Sequence, residues 1–250
     1  MRKFGLVGYP LGHSFSKKYF TEKFSAQNIS DCVYDNYPLE NINHFMGLIN
    51  SDEELEGLNV TIPYKSQILK FIDVLDPEAH EIGAVNVLKI KRNQRKISIF
   101  GYNSDVTGRG DTLLPYMNDT VRNALVLGTG GSSRAVCHVL QKLGLNVSLV
   151  SREKKPGTML YSDISSDVIR QSQLIVNTTP LGMFPDIESK PAIDYSGLTK
   201  NHILFDLVYN PEVTSFLKMG DNKNCITLSG LKMLHSQAEK AWEIWNNDNV

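Results

Sequence analysis

The chain has 250 residues, 41% of them hydrophobic and 21% charged, and a formal net charge of −1, the make-up of a folded chain with one large domain or two modest ones. Near-neutral charge without a basic stripe excludes a general nucleic-acid binder, and no apolar run reaches the roughly 18 residues that span a bilayer. Cys32, Cys137 and Cys225 are scattered without a C-x-x-C motif, and the six histidines form no H-E-x-x-H pattern, so neither a disulfide framework nor a metal centre is expected.

Met1–Gly8 is basic and too short in apolar residues for a signal peptide. It reads as a first strand, so a cytoplasmic protein is expected, and triplets such as Asn28-Ile29-Ser30 and Asn146-Val147-Ser148 carry no glycosylation meaning. Tyr19–Gln27 reads as a helix and Cys32–Tyr37 as an alternating strand. Ile42–Asn50 suits a helix with Ile42, Phe45, Met46 and Ile49 on one face. Leu58–Thr61 reads as a strand stopped by Pro63, and Lys65–Phe71 as a helix opening after that proline. Ala84–Lys89 and Lys96–Tyr102 read as paired strands around the polar turn Arg92-Asn93-Gln94. Asp105–Gly108 starts another helix.

From Ala124 the character changes. Ala124–Leu127, Val147–Val150, Leu174–Asn177 and Ile203–Val208 are short buried-strand runs, with Ser132–Leu143 as the first intervening helix. Strand–helix alternation implies a parallel sheet with right-handed crossovers. A last helix over Leu231–Trp245 carries Leu231, Leu234, Ala238, Ala241, Trp242 and Trp245 at helical spacing. The expected architecture is α/β in two domains with a ligand cleft between them. The first domain covers 1–105, with 232–250 returning to it, and a dinucleotide-binding domain covers 106–231.

Gly128-Thr129-Gly130-Gly131-Ser132 follows a strand and opens a helix. The first glycine permits the tight turn, the second lets backbone approach a pyrophosphate, and the helix N-terminus offers free N–H groups. Position 133 is Ser where the third glycine of G-x-G-x-x-G would stand, and Gly131 and Ala135 supply the small residues. Packing turns and methyltransferase loops share this pattern. An NAD site would place an acidic residue at the end of the next strand, about 20 residues on. Ser151 stands there, followed by Arg152, and a guanidinium beside a hydroxyl suits the 2′-phosphate of NADP. The competing readings are a solvated basic turn and a ribose contact from Glu153.

In the first half, Asn59-Val60-Thr61-Ile62-Pro63-Tyr64-Lys65, Gly83-Ala84-Val85-Asn86 and Asn103-Ser104-Asp105 place a lysine, asparagines and an aspartate beside strand ends. A Lys/Asp pair that shuttles a proton, beside a nucleotide that carries a hydride, is the equipment of a dehydrogenase for a small polar substrate. A plain surface ion pair is the bland alternative.

With Gly8-Tyr9-Pro10-Leu11-Gly12-His13-Ser14-Phe15-Ser16, Asn177-Thr178-Thr179-Pro180-Leu181-Gly182-Met183, Asp206-Leu207-Val208-Tyr209-Asn210-Pro211 and Gly230–Ala238, these segments resemble the shikimate dehydrogenase family over nearly the whole chain. The resemblance implies an N-terminal substrate domain and a Rossmann-like NADP domain. It implies NADP-linked, reversible reduction of 3-dehydroshikimate to shikimate, on the route to chorismate and aromatic amino acids, by a monomer or homodimer without a metal. It implies that Lys65 and Asp105 handle the proton and that Ser14 and Ser16 hold the substrate carboxylate. Asn59, Thr61, Asn86, Tyr209 and Gln237 would contact the ring hydroxyls. Gly128, Thr129, Gly130, Gly131, Ser132, Ser151 and Arg152 would hold the nucleotide, and Thr178, Thr179, Met183, Val208 and Gly230 would lie toward the nicotinamide.

The chain departs from the family pattern at several positions. Lys17, Tyr19 and Phe20 stand where proline and a His-Asn pair are usual, Val87 and Ser104 replace threonines, and Lys232 replaces a glycine. Lys17 suits either substrate capture or solvent, and Lys232 could alter the local backbone. A quinate/shikimate dehydrogenase using NAD or NADP and a catalytically silent nucleotide-binding sensor of the same fold are the alternatives. Retention of both Lys65 and Asp105 argues against the sensor.

Overall fold

The computed structural model describes residues 1–11, 15–93 and 96–247. It divides into two compact units, Met1–Thr107 with His235–Val250, and Gly108–Leu234. The expected site residue Ser14 lies outside the described residues.

The first unit contains β1 (Arg2–Gly8), α1 (Phe15–Ala26), β2 (Cys32–Pro38), α2 (Phe45–Ser51), β3 (Leu55–Val60), β4 (Val74–Leu75), α3 (Pro77–Ile82), β5 (Val87–Asn93) and β6 (Lys96–Tyr102), after which α4 (Ser104–Leu113) begins. Its sheet has the order β2-β1-β3-β5-β6-β4. Only β5 runs against the others, pairing antiparallel with both β3 and β6. Alternating side chains feed two cores. Val7, Leu88 and Ile90 pack with Phe45, Ile49 and Ile68; Phe4 and Val87 pack with Phe20, Phe24, Ala241 and Trp245 on the other side.

Trp245 is 3% exposed. It stacks on Phe4 with ring centroids 4.7 Å apart, and its indole N–H donates to Leu88 O at 2.9 Å. The aromatic body is buried and its one polar group is paired, which is what keeps the end of the chain on this sheet.

The expected helix at Lys65–Phe71 is a correction: only a 3-10 turn over Gln67–Phe71 forms. The carbonyl of Lys65 accepts from Val85 N at 2.7 Å, so it is not available to start an α-helical ladder. Likewise Ile42–Asn50 is a 3-10 turn (Ile42–His44) followed by α2, with Ile42, Phe45 and Ile49 buried together as the spacing required.

The second unit contains β7 (Asn123–Leu127), α5 (Gly131–Lys142), β8 (Asn146–Ser151), β9 (Thr158–Leu160), α6 (Ser166–Gln171), β10 (Leu174–Asn177), β11 (Ile203–Asp206), α7 (Ser215–Asp221) and β12 (Ile226–Leu228), and α8 (Gly230–Asn246) begins there. The order β12-β11-β10-β7-β8-β9 is parallel throughout, the doubly wound arrangement whose strand order reverses beside the first strand. Successive residues alternate between two cores. Ala124, Val126, Leu174, Val176, Ile203 and Phe205 face Val136 and Leu140 of α5; Leu125, Leu127, Ile175 and Leu204 face Ile169, Phe216 and Leu217. Burial on both faces is why these strands read as unbroken apolar runs. Among the described residues, no helix is long and apolar enough to cross a membrane.

Candidate active site

In the first unit, strand register brings the expected residues to one edge. Val7 pairs with Val60 and Asn59 with Val87, and Val87 pairs with Tyr102. The residues just past these points, Gly8, Thr61, Asn86 and Asn103, are therefore level. This is the carboxyl edge of every strand except β5, the edge where open α/β sheets bind ligands.

Lys65 is placed by its neighbours. Tyr64 is buried and its hydroxyl donates to Leu39 O, while the Lys65 carbonyl is fastened to Val85. Gly83 ends α3 in the left-handed conformation (φ 68°), which glycine adopts without a Cβ penalty, and so turns the chain into Ala84-Val85-Asn86. Asn103 donates to Ala84 O at 2.8 Å and accepts from Asp105 N at 3.0 Å, setting the first turn of α4. A carboxylate in that turn is favoured by the helix dipole.

Lys65 Nζ donates to Asp105 Oδ2 at 2.8 Å, with the lysine side chain 30% and the aspartate 6% exposed. Asn86 Nδ2 donates to Asp105 Oδ1 at 2.7 Å, and Asn86 Oδ1 accepts from Ser104 N at 2.7 Å. The carboxylate is thus oriented from two sides, and it presents an ammonium that retains access to solvent. Such a pair can give a proton to an oxygen on which charge develops.

The other expected residues divide. Asn59 accepts from the Tyr34 hydroxyl at 2.8 Å and donates to Asn86 O at 3.4 Å, so its amide is engaged within the protein. Burial raises the Tyr34 hydroxyl above the usual tyrosine range, and a hydrogen bond from Ser16 opposes the shift, which puts Ser16 beside this network. Thr61 and Gln237 are half-buried. Lys17 pairs with Asp35 at 2.6 Å on the exposed side of α1. Ser104, Tyr34 and Tyr64 carry the geometry of this edge and were not among the expected site residues; their partners lie 18 to 25 positions away in the chain, beyond the reach of spacing arguments.

In the second unit, Leu127 pairs with Val150 and Asn177, and Asn177 with Asp206. The four strands therefore end level, and the glycine turn, Ser151, Thr178 and Leu207 follow side by side. Gly128 has φ 112°. A Cβ there would lie 2.7 Å from Thr178 Oγ1, whereas a Cβ on Gly130 or Gly131 would meet nothing within 4 Å. Gly130 caps α5 without a side-chain hydrogen bond, so the helix N–H groups are left to an anion. Lys155 Nζ approaches Thr129 Oγ1 at 3.3 Å, bringing positive charge to the turn. Ser132 is half-buried in the first turn of α5. Ser151 is buried and accepts from Glu153 N at 3.2 Å, and Arg152 is exposed. An open cradle with a free helix N-terminus and basic side chains fits a phosphorylated dinucleotide.

The hydroxyl of Thr178 donates to Leu127 O at 2.7 Å, and that of Thr179 to Asn177 Oδ1 at 2.6 Å, so both serve the loop itself. Met183 is 45% exposed, Val208 is buried and Tyr209 half-buried. Gly230 is obligatory, because a Cβ would sit 2.4 Å from Leu207 O. Lys232 is exposed within α8, which continues unbroken past it.

Residues 6–88 match the family model described as the shikimate dehydrogenase substrate binding domain. The chain is 34% identical over 258 residues to the shikimate dehydrogenase (NADP(+)) of Methanococcus aeolicus, covering 96% of this chain and 90% of that protein. It is 36% identical to that of Clostridium beijerinckii, covering 98% and 92%. The chain belongs to the shikimate dehydrogenase family. A solved member from Thermus thermophilus, in complex with NADP(H) and shikimate, superposes with a TM-score of 0.84 at 27% identity, covering 98% of this chain and 94% of that one.

Proposed function

We infer that the protein catalyses the reversible, NADP-linked reduction of 3-dehydroshikimate to shikimate, in the cytoplasm, as a step toward chorismate and the aromatic amino acids. The observation that carries this reading is the Lys65–Asp105 pair, 2.8 Å apart at the carboxyl edge of the first sheet, in a chain of this family. The first unit binds the substrate and the second the dinucleotide.

NADPH, when bound, supplies the hydride to the C3 carbonyl carbon. As negative charge develops on the carbonyl oxygen, the Lys65 ammonium stabilises it and gives up a proton to form the hydroxyl. Asp105, held by Asn86, keeps the ammonium in place. In the oxidation direction, the neutral Lys65 amine takes the hydroxyl proton back. Ser14 and Ser16 hold the ring carboxylate through neutral donors, and Thr61 and Gln237 address the hydroxyls. Asn86 acts on the substrate chiefly by orienting Asp105 and Ser104, since both its amide nitrogen and its oxygen are engaged, and Asn59 joins the residues that address the hydroxyls. Gly128, Thr129, Gly130, Gly131 and Ser132 cradle the pyrophosphate, and Arg152 reads the 2′-phosphate, assisted by Lys155.

The test is absorbance at the nicotinamide band while the purified protein oxidises shikimate, with NADP and NAD run in parallel. Fast reduction of NADP with slow reduction of NAD is expected. Turnover of quinate but not shikimate would overturn the substrate assignment, and no turnover of either by folded protein would overturn the activity.

A further inference from the structure

The second unit contains a buried polar cluster that the mechanism above does not use. Asp206 has no exposed surface, and neither has Asn177 nor Thr214. Asp206 Oδ1 accepts from Asn177 Nδ2 and from Val208 N, each at 3.0 Å. Its Oδ2 accepts from Thr214 Oγ1 at 2.6 Å. Three donors converge on one carboxylate in a site where an unsatisfied polar group would be costly.

Each partner leads into a loop at the carboxyl edge. Asn177 donates a second bond to Leu181 O at 3.2 Å and accepts from both the backbone and the hydroxyl of Thr179. That loop carries Thr178, whose hydroxyl and amide both bind Leu127 O, the residue before the glycine turn. On the other side, Val208 accepts from Gly230 N at 3.2 Å, and Asn210 O accepts from Phe184 N at 3.1 Å. Asp206 therefore sits where the loops after β10 and β11 are tied to each other, to the glycine turn and to the start of α8.

We propose that Asp206, acting through Asn177 and the Val208 amide, is a positioning residue that holds the dinucleotide-binding loops of the second unit in their binding-competent arrangement. The proposal rests on the reading of this edge as the NADP site. A carboxylate is suited to the task because it accepts several hydrogen bonds at fixed directions, and charge-assisted bonds hold their geometry more firmly than neutral ones. Burial of all three side chains keeps water from competing for the same donors.

The experiment is calorimetric titration of the full chain with NADP⁺ alone, for the parent, Asp206→Ala, Asn177→Ala and Asp206→Asn, each checked for native circular dichroism and assayed well below its Tm. Asp206→Ala and Asn177→Ala should weaken NADP⁺ binding at least tenfold while remaining folded. Asp206→Asn, which keeps an acceptor toward Asn177 and Val208, should recover affinity to within about threefold of the parent. A cluster that only stabilises the fold would lower Tm and leave the affinity of the folded protein unchanged, and that result overturns the proposal. Should Asp206→Ala not fold, Asn177→Ala decides alone, since it leaves Asp206 two of its donors. A parent that binds NADP⁺ but does not oxidise shikimate would refute the activity and leave this proposal standing. A parent that does not bind NADP⁺ would refute both.

Discussion

Replacing Lys65 with alanine has two separable consequences. The chemical one is loss of the proton donor. General acid catalysis contributes roughly 10²–10⁴ in rate, or about 2.7–5.4 kcal/mol at 1.36 kcal/mol per tenfold, and turnover should fall by that factor while the Michaelis constant for shikimate moves little. The structural consequence comes from Asp105, which is 6% exposed and loses an ammonium 2.8 Å away. Removing one partner of a fully buried pair costs about 3–5 kcal/mol. Lys65 is itself 30% exposed, and solvent screening reduces the expected loss to about 1–3 kcal/mol. Adding Asp105→Asn removes the stranded charge, so the double variant should regain stability in urea titration without regaining turnover. Nicotinamide absorbance gives the rates. Turnover of Lys65→Ala within about threefold of the parent would refute the proton role. Turnover that returns with stability in the double variant would show that the loss was structural.

Three further outcomes are expected. Arg152→Ala should raise the Michaelis constant for NADPH by roughly tenfold, the scale of one charge-assisted contact, and leave that for NADH nearly unchanged; equal losses for both would remove the 2′-phosphate role. Gly128→Ala combines a φ of 112° with a Cβ 2.7 Å from Thr178 Oγ1. Strain and overpacking of about 1–3 kcal/mol each should lower Tm sharply, whereas Gly130→Ala, which meets nothing within 4 Å, should spare Tm and weaken NADP⁺ binding; equal Tm values for the two would contradict the turn geometry. Burial pushes the Asp206 carboxyl up to about 6, against the hydrogen bonds from Thr214, Val208 and Asn177. The folded state therefore favours the protonated form. That contribution is complete below the unfolded value of about 3.9 and is lost as pH rises through about 6, amounting to about 3 kcal/mol. Tyr195, raised by burial and by Asp206, stays neutral throughout this window. Asp206→Asn should thus gain stability relative to the parent between pH 4 and 7, and a pH-independent difference in urea unfolding would refute the shift.

What could be read from the sequence follows from how locally each feature is encoded. β7, β10 and β11 are legible because strands buried on both faces leave apolar runs of three or four residues, and the turn at Gly128 because its glycines are close together in the chain. β4, β9 and β12 are two or three residues long, too short to establish a period, and were not expected. Lys65 and Asp105 are 40 positions apart, so no spacing rule joins them; their place beside strand ends suggests the pair, the family resemblance gives it a role, and the register of β3, β5 and β6 brings their segments to one edge. The same resemblance names Asn59, Thr61 and Asn86 as substrate partners.

The structure adds what the two asparagine amides do within the protein. Asn86 uses its oxygen on Ser104 N and its nitrogen on Asp105. Asn59 lies between Tyr34 and the Asn86 carbonyl. A short polar residue at the end of an apolar strand looks the same in sequence whether it touches substrate or holds the residue that does. Asn177 and Asp206 make the point in the second unit. They end Leu-Ile-Val-Asn and Leu-Phe-Asp runs and read as strand termini, yet they bond to each other across 29 positions. A buried polar group must find a partner, so a polar residue closing a fully buried run is itself a signal that a second one closes the neighbouring strand. Sequence supplies both residues of such a pair, and only the strand order says that they meet.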